Sequence, residues 1–484
     1  MFEFAQLAVD TALVLGASYA DARVMDIRQR DLTTKSGRVG TCSDSESLGI
    51  GIRAIVSGAW GFASTNSLTR ADVEACAAQA VEIARASALA KQRDVVLAPE
   101  SAYVDTWQSP FVKDPFRISL DRQLALLLAA DEEMRKVKGV TLTETMMQFR
   151  RIEQYFASSL GSRIHQLKQQ SGAGIAATSF ARNEIQKRSY PNSFGGQYTL
   201  EGYEMVEAMD LVGNARRVAE ECVALHKAAR CPEGEHTVIL DSSQLGLQIH
   251  ESIGHPIELD RVLGMEANMA GTSFLTLDQL NCLQYASEIV NVVADARLEH
   301  GPGLGTFGYD DEGVPAQCIP IITNGRFTGY LSDRETAALI GLPRSGGTVR
   351  CESWNRLPMI RMTNVSLLPG DWRLEDLIAD TDRGIWMETN RSWSIDDKRF
   401  HFQFSTEIAW EIRRGKKVRM LKNPSYSGIT TEFWNSCDAI CSRDYWKLWG
   451  TPNCGKGQPM QTMGTGHGAA PARFRKVRVG VAHS

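Results

Sequence analysis

His250 and His255 stand five residues apart, with Glu251 beside the first histidine and Gly254 and Pro256 on either side of the second. The segment follows the strand-like run Val238-Ile-Leu240, and Ser242 or Ser243 offers a cap, so it reads as a helix. In a regular α-helix, residues i and i+4 lie about 40° apart around the axis, whereas i and i+5 lie about 140° apart. Two imidazoles at the wider angle point away from each other. If they share one ion, the chain needs a local irregularity, either a wide π-type turn or a helix end. Gly254 tolerates unusual dihedrals, and Pro256 lacks the amide that would continue the helix. The irregular spacing and the residues able to accommodate it therefore sit together.

Two imidazoles plus a third N, O or S donor, with one position open, suit zinc. A carboxylate next to such an ion takes the proton from the attacking water and returns it to a leaving amine, which is the role open to Glu251. A histidine pair on a helix is otherwise commonly structural. Glu251 between the two and the break at Gly254–Pro256 favour catalysis. Residue chemistry leaves three sources for the third donor: Glu258, His467 within Gly466-His-Gly468, and Cys454 within the glycine-rich loop Gly450-Thr-Pro-Asn-Cys-Gly-Lys-Gly-Gln-Pro459. Cys437 and Cys441 have no matching second pair at zinc-finger spacing.

At 484 residues the chain exceeds one ordinary core, so two or three domains are expected. A net charge of -4 argues against nucleic acid as a partner. The basic run Arg473–Arg478 reads as the solvated face of a final strand. No apolar run approaches the roughly 18 residues of a membrane span, so no membrane partner is expected. The opening Met1-Phe-Glu-Phe-Ala-Gln has no basic n-region, and Asp10 interrupts its apolar stretch, as in an amphipathic helix. Ten scattered cysteines without a secretion signal fit reduced thiols and a cytoplasmic location.

Residues 5–16 read as a helix, and Ala20–Ile27 and Ile50–Val56 as strands of an antiparallel meander. Thr69 caps a helix with Val73, Ala77, Ala80 and Ala84 on its buried stripe, and Ser119 opens another through Leu124, Leu127 and Leu128. Residues 139–200 return to strands, and 203–229 to helix. Cys231-Pro-Glu-Gly-Glu-His236 marks a boundary. Beyond it, Cys318–Thr323 and Arg326–Leu331 form a hairpin around Asn324-Gly325, and Ser332-Asp-Arg-Glu335 reads as a capping box. The class is α+β in two domains. Residues 1–230 form a helix-containing half with antiparallel strands, and residues 231–484 a strand-rich half carrying the metal site.

Gly303-Leu-Gly-Thr-Phe-Gly308 matches the dinucleotide fingerprint, but Tyr309-Asp-Asp-Glu-Gly-Val-Pro315 cannot open the helix that a pyrophosphate needs. A glycine-rich loop leading into an acidic turn is the better reading.

Seven segments, in this combination and order, resemble the TldD/PmbA family of metallopeptidases, in its metal-bearing TldD-like members. They are Tyr19-Ala-Asp-Ala-Arg-Val, Gly49-Ile-Gly-Ile-Arg-Ala, His250-Glu-Ser-Ile-Gly-His, Asp310-Asp-Glu-Gly-Val-Pro, Asn324-Gly, Arg361-Met-Thr-Asn and Thr451-Pro-Asn-Cys-Gly-Lys-Gly-Gln-Pro. The resemblance spans nearly the whole chain. It implies that His250, His255 and Cys454 hold one Zn2+ per subunit and that Glu251 is the base. It implies a homodimer, or a heterodimer with a related family subunit, enclosing an inward-facing site that acts on short or unfolded peptides. The chain departs from the family pattern at Pro256, where a smaller residue is usual, and at Pro452-Asn453, inserted before the cysteine. Two other readings remain. One is a non-enzymatic partner subunit of a hetero-oligomeric peptidase, which the intact His250, Glu251 and His255 oppose. The other is a redox protein built on Cys437 and Cys441, whose spacing lacks a thioredoxin-like context.

Overall fold

A computed structural model describes residues 1–482. Four strands of 17 to 19 residues dominate the N-terminal half: Arg38–Val56, Tyr19–Lys35, Leu142–Ser158 and Arg163–Ala181, adjacent in that order and antiparallel. Such strands are about three times the usual length. Two separate helix pairs cover one face of them. Phe2–Val14 and Arg70–Ala88 pack over Ala20, Ala22, Val24, Ile50 and Ile52. Leu120–Arg135 and Leu211–Ala224 pack over Leu32, Phe149 and Ile175. Thr69 and Ser119 cap their helices as expected.

The opposite face carries Asp21, Arg23 and Arg53, a pattern that usually means solvent. Here it is buried against the C-terminal half. Arg53 pairs with Asp21 at 2.6 Å and with Glu312 at 3.2 Å, and Arg23 approaches Asp311 at 3.9 Å. The acidic turn after the glycine-rich loop is thus an anchor between the halves, and no helix follows Gly308.

In the C-terminal half, five strands close a ring. Gly234–Leu240 lies beside Ala472–Val481, then come Pro424–Ile429, His401–Arg413 and Arg383–Ile395, which returns to Gly234–Leu240. A six-stranded sheet runs in the order Arg326–Phe327, Cys318–Thr323, Val292–Asp295, Asn364–Leu367, Gln461–Ala469, Lys447–Lys456. One continuous core, including Leu245, Ile253, Val365, Phe404 and Trp434, joins the two layers.

Several local expectations shift. The first helix spans Phe2–Val14 rather than 5–16. Asn324 and Gly325 both have positive φ, as a two-residue hairpin turn demands, but only Arg326–Phe327 pairs in its second arm. Asp333, not Ser332, caps the next helix, and its box partner is Thr336. A one-residue change of phase between adjacent cap-forming side chains accounts for that. The final strand is an interior strand, so Arg473 is buried on Asp438 and Asp380, while Lys476 and Arg478 are exposed.

Candidate metal centre

Strand Gly234–Leu240 delivers the chain to Asp241, whose carboxylate accepts from the amides of Ser243 at 2.9 Å and Gln244 at 3.4 Å. Asp241 is therefore the cap, in place of Ser242 or Ser243. Helix Ser242–Ile249 then widens into a π-turn over His250–Gly254, closed by the His255 amide donating to the His250 carbonyl at 3.1 Å. This i→i+5 bond brings the fifth residue back to the face of the first. The two imidazole rings meet edge to face with centroids 4.8 Å apart. Gly254 serves a purpose other than dihedral freedom. Its φ lies outside the left-handed region, but a Cβ there would meet the Met362 sulfur at 2.1 Å.

Cys454 arrives from the far end of the chain. Its segment is not a loop but strand Lys447–Lys456, hydrogen-bonded to Gln461–Ala469. Pro452 and Asn453 are absorbed as a bulge between Thr451 and Cys454, which turns the thiol inward. Donor atoms of His250, His255 and Cys454 all lie within 4.8 Å of one another and are buried, and Cys454 Sγ is 3.8 Å from His255 Nε2. Tetrahedral zinc with bonds of about 2.0–2.3 Å places its donors roughly 3.5 Å apart, so the set fits such an ion. Its protonation fits as well. Burial holds both histidines below the ordinary imidazole value, keeping them neutral. Burial opposes the Cys454 thiolate, but the Arg361 guanidinium works against burial, and the thiol lies below its usual value. Burial pushes Cys437 upward and Cys441 to about 12, so neither has thiolate character.

The other two candidate donors stand behind the histidines instead of beside them. His467 Nε2 lies 2.7 Å from His250 Nδ1, and His467 Nδ1 lies 3.1 Å from the Val365 carbonyl. A carbonyl only accepts, so His467 donates through Nδ1 and accepts through Nε2. His250 then donates through Nδ1 and keeps its Nε2 lone pair for the cluster. Glu258 Oε2 lies 3.0 Å from His255 Nδ1, which likewise frees Nε2.

Behind Glu258 is a buried charge cluster. Lys456 Nζ lies 2.8 Å from Asp260, 3.0 Å from Glu266 and 3.3 Å from Glu258. Burial works against this ammonium, but the carboxylates outweigh it and raise its pKa. Lys456→Met leaves Glu258 and Glu266 with Arg261 as their close cation and takes from Asp260 its ion-pair partner. The expected loss is about 3–5 kcal/mol of stability, read as a lower denaturant midpoint at unchanged slope.

Glu251 faces a cavity of about 230 Å³, whose other walls include Phe194, Leu247, Trp393, Arg399 and Thr451. Arg399 Nη1 donates to Glu251 Oε2 at 2.7 Å. Sequence reasoning missed Arg399, Phe194 and Trp393. No local pattern marks them, because each reaches the cavity through tertiary structure.

Family comparison bears on the same segments. The model for the PmbA/TldA metallopeptidase C-terminal domain matches residues 233–480, and that for domain 1 matches residues 20–84. A metalloprotease of Methanocaldococcus jannaschii is 28% identical over 453 residues, covering 93% of this chain and 95% of its own. A protein of Saccharolobus solfataricus named as a zinc metalloprotease TldD homolog is 28% identical over 247 residues, covering 51% of this chain and 52% of its own. The crystal structure of TldE from Thermococcus kodakarensis shares the fold, with a TM-score of 0.73, 16% identity and coverage of 98% of this chain and 99% of the other. The chain belongs to the TldD/PmbA family and is a metallopeptidase.

Proposed function

We propose that the chain is a zinc-dependent peptidase acting on short or unfolded peptides, with His250, His255 and Cys454 as ligands and Glu251 as general base. The observation that carries this reading is the convergence of the three donors within 4.8 Å on the cavity that Glu251 faces. A zinc ion held there supplies Lewis acidity, making a water easier to deprotonate and a carbonyl easier to attack. Glu251 accepts the proton of the attacking water and passes it to the leaving nitrogen. His467 and Glu258 fix which imidazole nitrogens face the ion. Zinc content of the purified protein, with loss of peptide hydrolysis on chelation and recovery on adding zinc, tests the assignment. The intact donor set opposes a role confined to a non-enzymatic partner subunit.

The substrate preference rests on the strand carrying Cys454. Lys447–Lys456 ends its sheet, paired on one side with Gln461–Ala469; Gln197 occupies its outer edge at Leu448 and Gly450, while Asn453 and Gly455 are exposed beside the cavity. An extended peptide adds to such an edge through main-chain hydrogen bonds, without requiring particular side chains. A folded domain must first unfold locally to offer that geometry. An inward-facing site in a dimer, as the family resemblance implies, also excludes it sterically. The expected result is broad cleavage of a disordered peptide. The same segment inside a domain stable by about 5 kcal/mol is cut at least about a thousandfold more slowly. Equal rates on a control that stays native remove the preference.

A further inference from the structure

Arg399 sits in the turn joining strands Arg383–Ile395 and His401–Arg413, with φ of +65°. A non-glycine residue persists in that backbone only where its surroundings enforce it. Here they do. Thr430 Oγ1 donates to the Arg399 carbonyl at 2.9 Å, the Phe274 amide to the Lys398 carbonyl at 2.9 Å, and the Phe400 amide to Asp396 Oδ1 at 2.6 Å. The turn is pinned from both flanks, so the guanidinium is delivered to a fixed place.

That place is the cavity wall. Among the described residues, Arg399 is the one lysine or arginine lining the cavity. Its Nη1 holds Glu251, while its buried Nε has no hydrogen-bond partner. A guanidinium with one arm on Glu251 still presents a positive charge to the cavity. Peptide hydrolysis supplies an acceptor. As water adds to the scissile carbonyl, an O–C bond forms, the water proton passes to Glu251, and the carbonyl π pair moves onto the oxygen. When that pair returns, the C–N bond breaks and the proton goes from Glu251 to the amine nitrogen. The transient negative charge therefore develops beside Glu251, where the guanidinium already lies.

We propose that Arg399 is a catalytic residue that donates a charge-assisted hydrogen bond to the scissile carbonyl oxygen as it becomes an oxyanion. The assignment rests on the peptidase reading above. It accounts for a single cation held on the cavity wall by a turn pinned from both flanks.

The test uses the zinc-loaded full chain and a phosphinic pseudotripeptide of alanine, whose charged oxygens replace the tetrahedral centre. Binding is measured by calorimetry and zinc by metal analysis. Arg399→Ala is expected to weaken phosphinate binding by about 100-fold or more with zinc retained, and Arg399→Lys to restore part of it. The same loss is expected in a Glu251→Gln background. If it vanishes there, Arg399 merely positions Glu251 and the proposal is overturned. Unchanged binding by Arg399→Ala, or loss of zinc from it, also overturns the proposal. Failure of the zinc-loaded wild type to bind the phosphinate overturns the peptidase reading, and this assignment with it.

Discussion

Glu251→Ala is expected to abolish peptide hydrolysis while one zinc per subunit is retained. The carboxylate is assigned to proton transfer and is not among the converging donors, which are His250, His255 and Cys454. Loss of a positioned general base costs about 10²–10⁴ in rate. Here the same group also protonates the leaving amine, so the upper end applies. Alanine also leaves the Arg399 guanidinium without its 2.7 Å partner in a largely buried site, at a cost of about 1–3 kcal/mol. Glu251→Gln keeps an acceptor oxygen for Arg399 and removes the base, so it separates chemistry from packing. Both variants should be equally inactive and zinc-loaded. Turnover near wild type in either removes Glu251 from the mechanism. Zinc lost together with activity makes it a ligand or a support of the site.

The readable part of this centre was its local geometry. The five-residue histidine spacing demanded a π-turn or a helix end, and the chain makes the π-turn, because a backbone irregularity between His250 and His255 depends only on the residues between them. The constraint on Gly254 is the Met362 sulfur, 108 positions further along the chain, which no local spacing reveals. Cys454 lies 199 residues from His255. Spacing alone could not bring it within 4.8 Å of both histidine donor atoms, because that convergence comes from sheet order, which sets the Lys447–Lys456 strand beside the π-turn. Arg399 was invisible for the same reason, as its partner is 148 residues away and the turn carrying it resembles any polar turn.

The fold shows the same division. Helix stripes and caps such as Val73–Ala84 with Thr69 follow from periodicity and side-chain chemistry acting over a few residues. The alternation Ala20-Asp21-Ala22-Arg23 marks a strand, and alternation of this kind ordinarily leaves its polar face to solvent. What buries Asp21 and Arg23 is the second half of the chain, whose Asp311 and Glu312 complete their charge balance. Local pattern identifies an element, while the partner of its polar face is a property of the assembled chain.

Cys454→Ser should weaken zinc retention far more than Cys437→Ser or Cys441→Ser. All three thiols are buried, so burial alone does not separate them. Their surroundings do. Arg361 favours the Cys454 thiolate against the opposing effect of burial, while burial pushes Cys437 upward and Cys441 to about 12. A thiolate is a strong zinc donor and a serine hydroxyl a poor one. Removing a residue that only backs a ligand typically costs 10–100-fold in metal affinity, so losing the donor itself should cost at least about 100-fold. The two control variants instead place a hydroxyl in hydrophobic clusters, which costs about 1–3 kcal/mol of stability with zinc in place. Zinc content therefore separates the first variant from the other two. After dialysis against a competing chelator, Cys454→Ser should be zinc-depleted, and the other two should hold zinc but melt at lower temperature. Equal zinc content in all three would exclude Cys454 and return the third ligand to His467 or Glu258. Either of these would then have to leave its hydrogen bond behind His250 or His255 to reach the ion.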